Sequence, residues 1–149
     1  MEEKILDDLE REGLRLTSIS KRSFAFLIDD LIVSLLVFVI FYDSIASSKN
    51  VEEVILLVNS AFLYIISIKI LYHTFFIWQY GATMGKMLFK MQVVDEKTFF
   101  KPDFSHSFLR AVIRIVSESL FYLGFLWGVF TKTRQTWHDK LAKTLVIDV

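Results

Sequence analysis

Lys21 to Tyr42 reads KRSFAFLIDDLIVSLLVFVIFY, an apolar run with two basic residues at its start and two aspartates inside it. A bilayer core needs roughly 20 apolar residues from one helix. The run therefore points to a membrane fold, and Asp29 and Asp30 restrict what kind. At about 1.5 Å rise per residue they lie roughly 10 Å along the helix from Arg22. A carboxylate in mid-membrane costs about 2.5–3.5 kcal/mol on insertion scales, so it needs a partner or a task.

The rest of the composition agrees. Hydrophobic residues make up 54% and aromatics 15%, with mean hydropathy +0.47, values of an integral membrane protein rather than a soluble domain. Net charge is zero, so no bulk field favours nucleic acid. Cysteine is absent, which removes disulfides, thiolate metal sites and cysteine nucleophiles. His73, His106 and His138 show no ligand spacing, and no serine sits in a nucleophile elbow. GATMGK, Gly81 to Lys86, lacks the spacing and the final Ser or Thr of a phosphate loop. No enzymatic activity, cofactor or metal is expected.

The expected fold is an all-α membrane protein, with an acidic helix or solvated tail over 1–17 and a membrane domain over 18–149. The opening MEEKILDDLERE has no signal-peptide layout, so the first membrane helix is expected to direct insertion. Leu14 to Ser20 reads as a linker, with Ser20 as an N-cap. Transmembrane helices are expected at about 23–42 and 54–80, the second closed by Gly81 as C-cap. A third hydrophobic segment covers about 107–130. Met91–Val94 and Thr144–Val149 are strand-like.

Lysine and arginine counts set the orientation. Five precede residue 23, one lies in 43–53, four in 81–106 and four after 130, so the N-terminus is expected in the cytosol. Both flanks of 107–130 are basic, yet the segment is too short for two full spans at roughly 20 residues each. It is either an interfacial helix over Ser107–Ser117 followed by a re-entrant stretch, or a third span with an external tail. The two strand-like pieces can pair only if both are cytosolic, which favours re-entry.

Depth suggests partners for the aspartates. Lys69 and His73 on the second helix are i,i+4 and fall at the same depth. Arg110, Arg114 and Glu118 line one side of the third segment. The cluster Asp29, Asp30, Lys69, His73, Arg110, Arg114 and Glu118 reads either as a pathway exchanging a proton for a monovalent cation or as a structural ion-pair network. Gly81, Thr83, Gly85 and Lys86 read as an interfacial loop with Lys86 reaching lipid phosphates. Lys86, Lys90, Lys132, Arg134 and Lys140 form a basic face suited to anionic lipid or a partner protein. Asp139 reads as a helix cap or an arginine partner. Gly124 and Gly128 match a small-x3-small packing motif, a candidate homodimer contact.

Several ordered motifs carry a family resemblance. Arg22-x-x-Ala25-x-x-Ile28-Asp29 opens the first helix. Gly81-x-Thr83-x-Gly85-Lys86, with Val93-Val94 beyond, follows the second, and Arg110 opens the third segment. Arg134-Gln-x-x-His138-Asp139-Lys140-Leu141-Ala142-x-Thr144-x-Val146 closes the chain. Over about 18–147 the sequence resembles the RDD family of small bacterial membrane proteins, named for one arginine and two aspartates. The resemblance implies Arg22, Asp29 and Asp139 as that trio, with Asp30 adjacent to Asp29 as the alternative. It also implies a bacterial plasma membrane and, from members proposed as sodium/proton antiporters, cation exchange. So few helices enclose no pathway, so transport would need a homo-oligomer or a partner membrane protein.

Overall fold

The computed structural model describes residues 2–149. Helix α1 (Glu2–Arg11) is followed by strand β1 (Arg15–Leu16), and then by the first membrane helix, α2 (Ile19–Ile40). The N-cap of α2 is Ser18, whose hydroxyl accepts from the Lys21 amide at 3.3 Å, rather than Ser20. Ala25, Asp29 and Val33 form its buried face at i,i+4,i+8 spacing. The opposite face is apolar and bare, with Leu31 70% exposed. So wide an apolar surface belongs against lipid.

The chain turns through α3 (Tyr42–Ala46) into α4 (Val51–Ser60) and α5 (Phe62–Tyr80). One helix is expected over 54–80, but it is interrupted at Ala61. The Ser60 hydroxyl donates to the Leu57 carbonyl at 2.8 Å, competing with the helical ladder and bending it locally. The ladder resumes at once, with the Ile65 amide donating to the Ala61 carbonyl at 3.0 Å. Helices α2 and α5 are each long and apolar enough to cross a bilayer.

Gly81 closes α5 in the left-handed region, φ +71°, and leads into α6 (Met84–Leu88) and β2 (Met91–Asp95). Then come α7 (Phe104–Ser119), α8 (Leu123–Phe130), α9 (Trp137–Leu141) and β3 (Thr144–Asp148). The two strand-like pieces pair antiparallel, from Met91 opposite Asp148 to Asp95 opposite Thr144. The expected linker supplies a third strand, with Arg15 opposite Asp148 and Leu16 opposite Ile147, so β3 is central.

Alternation along these strands buries both sheet faces. Met91, Val93 and Val146 pack on Ala25 of α2 and Ile77 of α5. Val94, Leu145 and Ile147 pack on Ile5 and Leu9 of α1. The acidic prelude is thus a docked lid on the sheet, not a solvated tail.

Helices α7 and α8 meet at 104°, through Phe121 and Tyr122 at φ 52° and 61°. Before α7, Phe100 accepts from the Asp95 amide of β2 at 2.8 Å. After α8, Gln135 Nε2 donates to the Thr144 carbonyl of β3 at 3.0 Å. The segment leaves the sheet and returns to it, the geometry of re-entry rather than of a straight third span. The expected homodimer motif acts within the chain. A Cβ on Gly124 would strike Ser117 and lie 3.1 Å from Trp137 Cβ, and one on Gly128 would lie 3.1 Å from Thr136 Cγ2. The two glycines seat α8 against α7 and the turn into α9.

Candidate functional site

Two carboxylates with no solvent exposure sit where the membrane helices meet the sheet: Asp29 of α2 and Asp139 of α9. Asp29 Oδ1 accepts from the Tyr72 hydroxyl at 2.9 Å and the Gly85 amide at 2.9 Å. Its Oδ2 accepts from the Thr83 hydroxyl at 2.5 Å and lies 3.8 Å from Lys86 Nζ. The Gly85 amide belongs to the first turn of α6, where helical N–H groups lack intrahelical partners. Only glycine fits there, since an added Cβ would strike the Ala25 carbonyl and crowd Asp29 at 3.0 Å.

Lys86 is not the exposed lysine expected of an interfacial loop. It is 6% exposed, beside Asp29 and Thr83. Burial pushes its ammonium down to about 7. Asp29 works against that, while Arg110, Arg114 and Arg22 add to it.

Asp139 gathers two guanidiniums from different membrane segments. Arg110 Nε and Nη2 donate to Oδ1 at 3.0 and 2.5 Å, and Arg22 Nη2 bonds Oδ2. Arg22 Nη1 also donates to the Arg134 carbonyl at 2.5 Å. Thr136 completes a capping box, its amide and hydroxyl donating to Asp139 Oδ2 at 3.1 and 2.7 Å. Burial alone would raise the Asp139 carboxyl. Arg22 and Arg110 outweigh it and hold the group well below the usual carboxylate range. Both readings of Asp139, as cap and as arginine partner, hold at once.

A model of the RDD family matches residues 16–143. The chain belongs to the RDD family. Uncharacterized protein RP437 of Rickettsia prowazekii is 31% identical over 71 residues, 47% of this chain and 39% of that protein. A proline-rich antigen homolog of Mycobacterium tuberculosis is 27% identical over 82 residues, 50% of this chain and 34% of that protein. The proline-rich antigen of Mycobacterium leprae is also 27% identical, over 50% of this chain and 33% of its own length. The aligned stretches therefore span well under half of these relatives. No solved structure matches.

In this RDD protein, Arg22 and Asp139 of the trio that the resemblance implies touch directly, and Asp29 lies on the buried face of the same helix as Arg22. Of the other expected cluster members, Arg110 bonds Asp139, and the rest form a separate chain of contacts. Asp30 pairs with Lys69 at 3.2 Å, Lys69 with Glu118 at 2.8 Å, and Glu118 with Arg114 at 3.0 Å. His73 Nδ1 lies 3.2 Å from Arg114 Nη1. Lys69 and His73 are thus not the partners of Asp29. Tyr72, between them in sequence, takes that place. Sequence reading also passed over Thr136, although Thr136-x-x-Asp139 has the spacing of a capping box. Among the described residues no cluster of His, Cys, Asp and Glu suits a metal ion.

Proposed function

We propose that this RDD protein exchanges a monovalent cation for a proton, with Asp29 and Lys86 as the exchanging pair. The observation that carries this reading is a solvent-free carboxylate on a membrane helix with a buried lysine ammonium 3.8 Å away. Together the two groups are neutral. When Lys86 releases its proton, Asp29 becomes an uncompensated buried charge, a state that is strongly unfavourable. A small cation restores neutrality, and the hydroxyls of Tyr72 and Thr83 supply further oxygens beside the carboxylate.

The charges around Lys86 are Asp29 and Arg22 from α2 and Arg110 and Arg114 from α7, and the Tyr72 hydroxyl of α5 donates to the same Asp29. Below pH 7 the lysine keeps its proton, and above it the pair accepts a cation. The N-terminus and the sheet are taken as cytosolic, which the positive-inside count supports, and the membrane as a bacterial plasma membrane, which the family resemblance implies. The pathway is closed by further copies of the chain or by a partner membrane protein.

Reconstituted vesicles with an imposed sodium gradient and an internal pH dye test this. Proton flux is expected to rise through an inflection near pH 7. Asp29→Asn is expected to reduce it to the level of protein-free vesicles, and Lys86→Gln to remove the inflection. Unchanged flux in a folded Asp29→Asn protein overturns the proposal. A specific observation favours a second reading, a structural network in a non-transport module: Asp29 is fully hydrogen-bonded, with two donors on Oδ1 and one on Oδ2 beside Lys86. A folded wild-type protein that moves no protons decides for it.

A further inference from the structure

We propose that the cavity between α2, α7 and α8 holds a phosphate anion, delivered as the headgroup of a membrane phospholipid. The cavity measures about 270 Å³. Four basic side chains line it, Arg22, Lys86, Arg110 and Arg114, and no aspartate or glutamate does. Their carboxylate partners, Asp29, Asp139 and Glu118, are not among the lining residues. Those partners are also one too few: Lys86 lies beside Asp29 and Arg114 pairs with Glu118, but Arg22 and Arg110 share Asp139. The basic wall therefore carries surplus positive charge toward an open space. Guanidinium forks match phosphate oxygens in charge and in geometry.

The remaining walls indicate the source of the phosphate. Phe26, Leu27 and Phe125 also line the cavity. The Arg114 guanidinium lies 4.7 Å from the Phe26 ring centroid and 5.8 Å from that of Phe125, so charge and apolar surface adjoin. Leu27 is on the bare face of α2, where lipid lies. Arg22 is in the first turn of that helix, at the depth where a headgroup meets the apolar core. An amphiphile satisfies both kinds of wall, whereas free phosphate satisfies one. Basic pockets between membrane helices are common sites for anionic headgroups.

His138 supplies an independent sign of a missing partner. It lines the cavity and is buried, and its Nδ1 has no hydrogen-bond partner. The Thr136 hydroxyl gives its single proton to Asp139, so His138 Nε2, 2.9 Å from that oxygen, must be the donor to it. Nδ1 is then a bare acceptor, and a hydroxyl-bearing headgroup such as glycerol offers it a donor.

The test is native mass spectrometry of the full-length protein extracted from vesicles of phosphatidylcholine with phosphatidylglycerol. Parallel titrations use short-chain phosphatidylglycerol and inorganic phosphate. One phosphatidylglycerol is expected to stay bound per chain, in preference to phosphatidylcholine. Arg114→Gln is expected to weaken short-chain lipid binding about tenfold, the effect of one lost charge-assisted hydrogen bond. Phe125→Glu, which sets a carboxylate against the phosphate, tests the same wall without removing a cation and is expected to do at least as much. Asp29→Asn does not line the cavity and is expected to retain lipid whatever happens to transport. Retention unchanged in both folded cavity variants overturns the proposal. Binding of inorganic phosphate as tight as that of the lipid overturns the headgroup assignment.

Discussion

Asp139→Asn is expected to destabilise the protein by about 3–5 kcal/mol, the penalty for removing one member of a buried charge group while its partners stay. Two partners are stranded here, Arg22 and Arg110, one from each side of the site. The amide can still cap α9 through its oxygen, so the loss reports charge rather than helix capping. Thermal unfolding in detergent measures it. Asp30→Asn is the comparison: its side chain is 40% exposed and bonded to Lys69 alone, so its expected cost is about 1 kcal/mol or less. Equal losses in the two variants would contradict the role given to Asp139. The same group sets the acid limit. Its folded value is depressed, so its contribution is complete above the unfolded carboxylate value of about 4 and is lost as pH falls through the lower folded one.

Gly85→Ala is expected to cost about 1–3 kcal/mol or more, as overpacking does in a closely packed interior. The new methyl meets the backbone carbonyl of Ala25, which cannot rotate aside as a flexible side chain would. Relief requires α6 to lift from α2, which breaks the bond from the Gly85 amide to Asp29. Amide exchange in Thr83–Leu88 is therefore expected to quicken more than exchange in α5. Gly13→Ala separates steric from conformational effects. Nothing lies within 4 Å of a Cβ there, and only its φ of +67° is unfavourable, at about 1–2 kcal/mol. A Gly85→Ala protein as stable as wild type would show that α6 is not pressed against α2.

Much of the scaffold can be read from sequence because it rests on local rules. The length of the apolar run over 23–42 and the left-handed Gly81 mark membrane helices. The strand-like Met91–Val94 and Thr144–Val149, with basic flanks on both sides of 107–130, imply a paired sheet and a returning segment. The partners of Asp29 were less accessible. Matching depth along two helices gives Lys69 and His73, but it does not give the rotation of α5, which sets Tyr72 toward α2 instead. GATMGK reads locally as a surface turn, whereas tertiary packing folds it back under Asp29 and buries Lys86. The pattern Ile5-Leu6-Leu9 suits a docked or a solvated helix equally. Its fate depends on Val94 and Leu145, far along the chain.

The central position of β3 also orders events during synthesis. Chains emerge from the ribosome N-terminus first. Both edge strands, β1 and β2, are made before the strand that joins them, and Arg22 precedes Asp139 by 117 residues. Until residues 139–148 appear, the sheet has no middle, α1 has no surface to dock on, and two arginines have no carboxylate. The membrane helices can insert early, but the polar half of the molecule closes in one late step. A chain cut short before Asp139 would be an inserted but unlocked protein, with open strand edges for proteases to find.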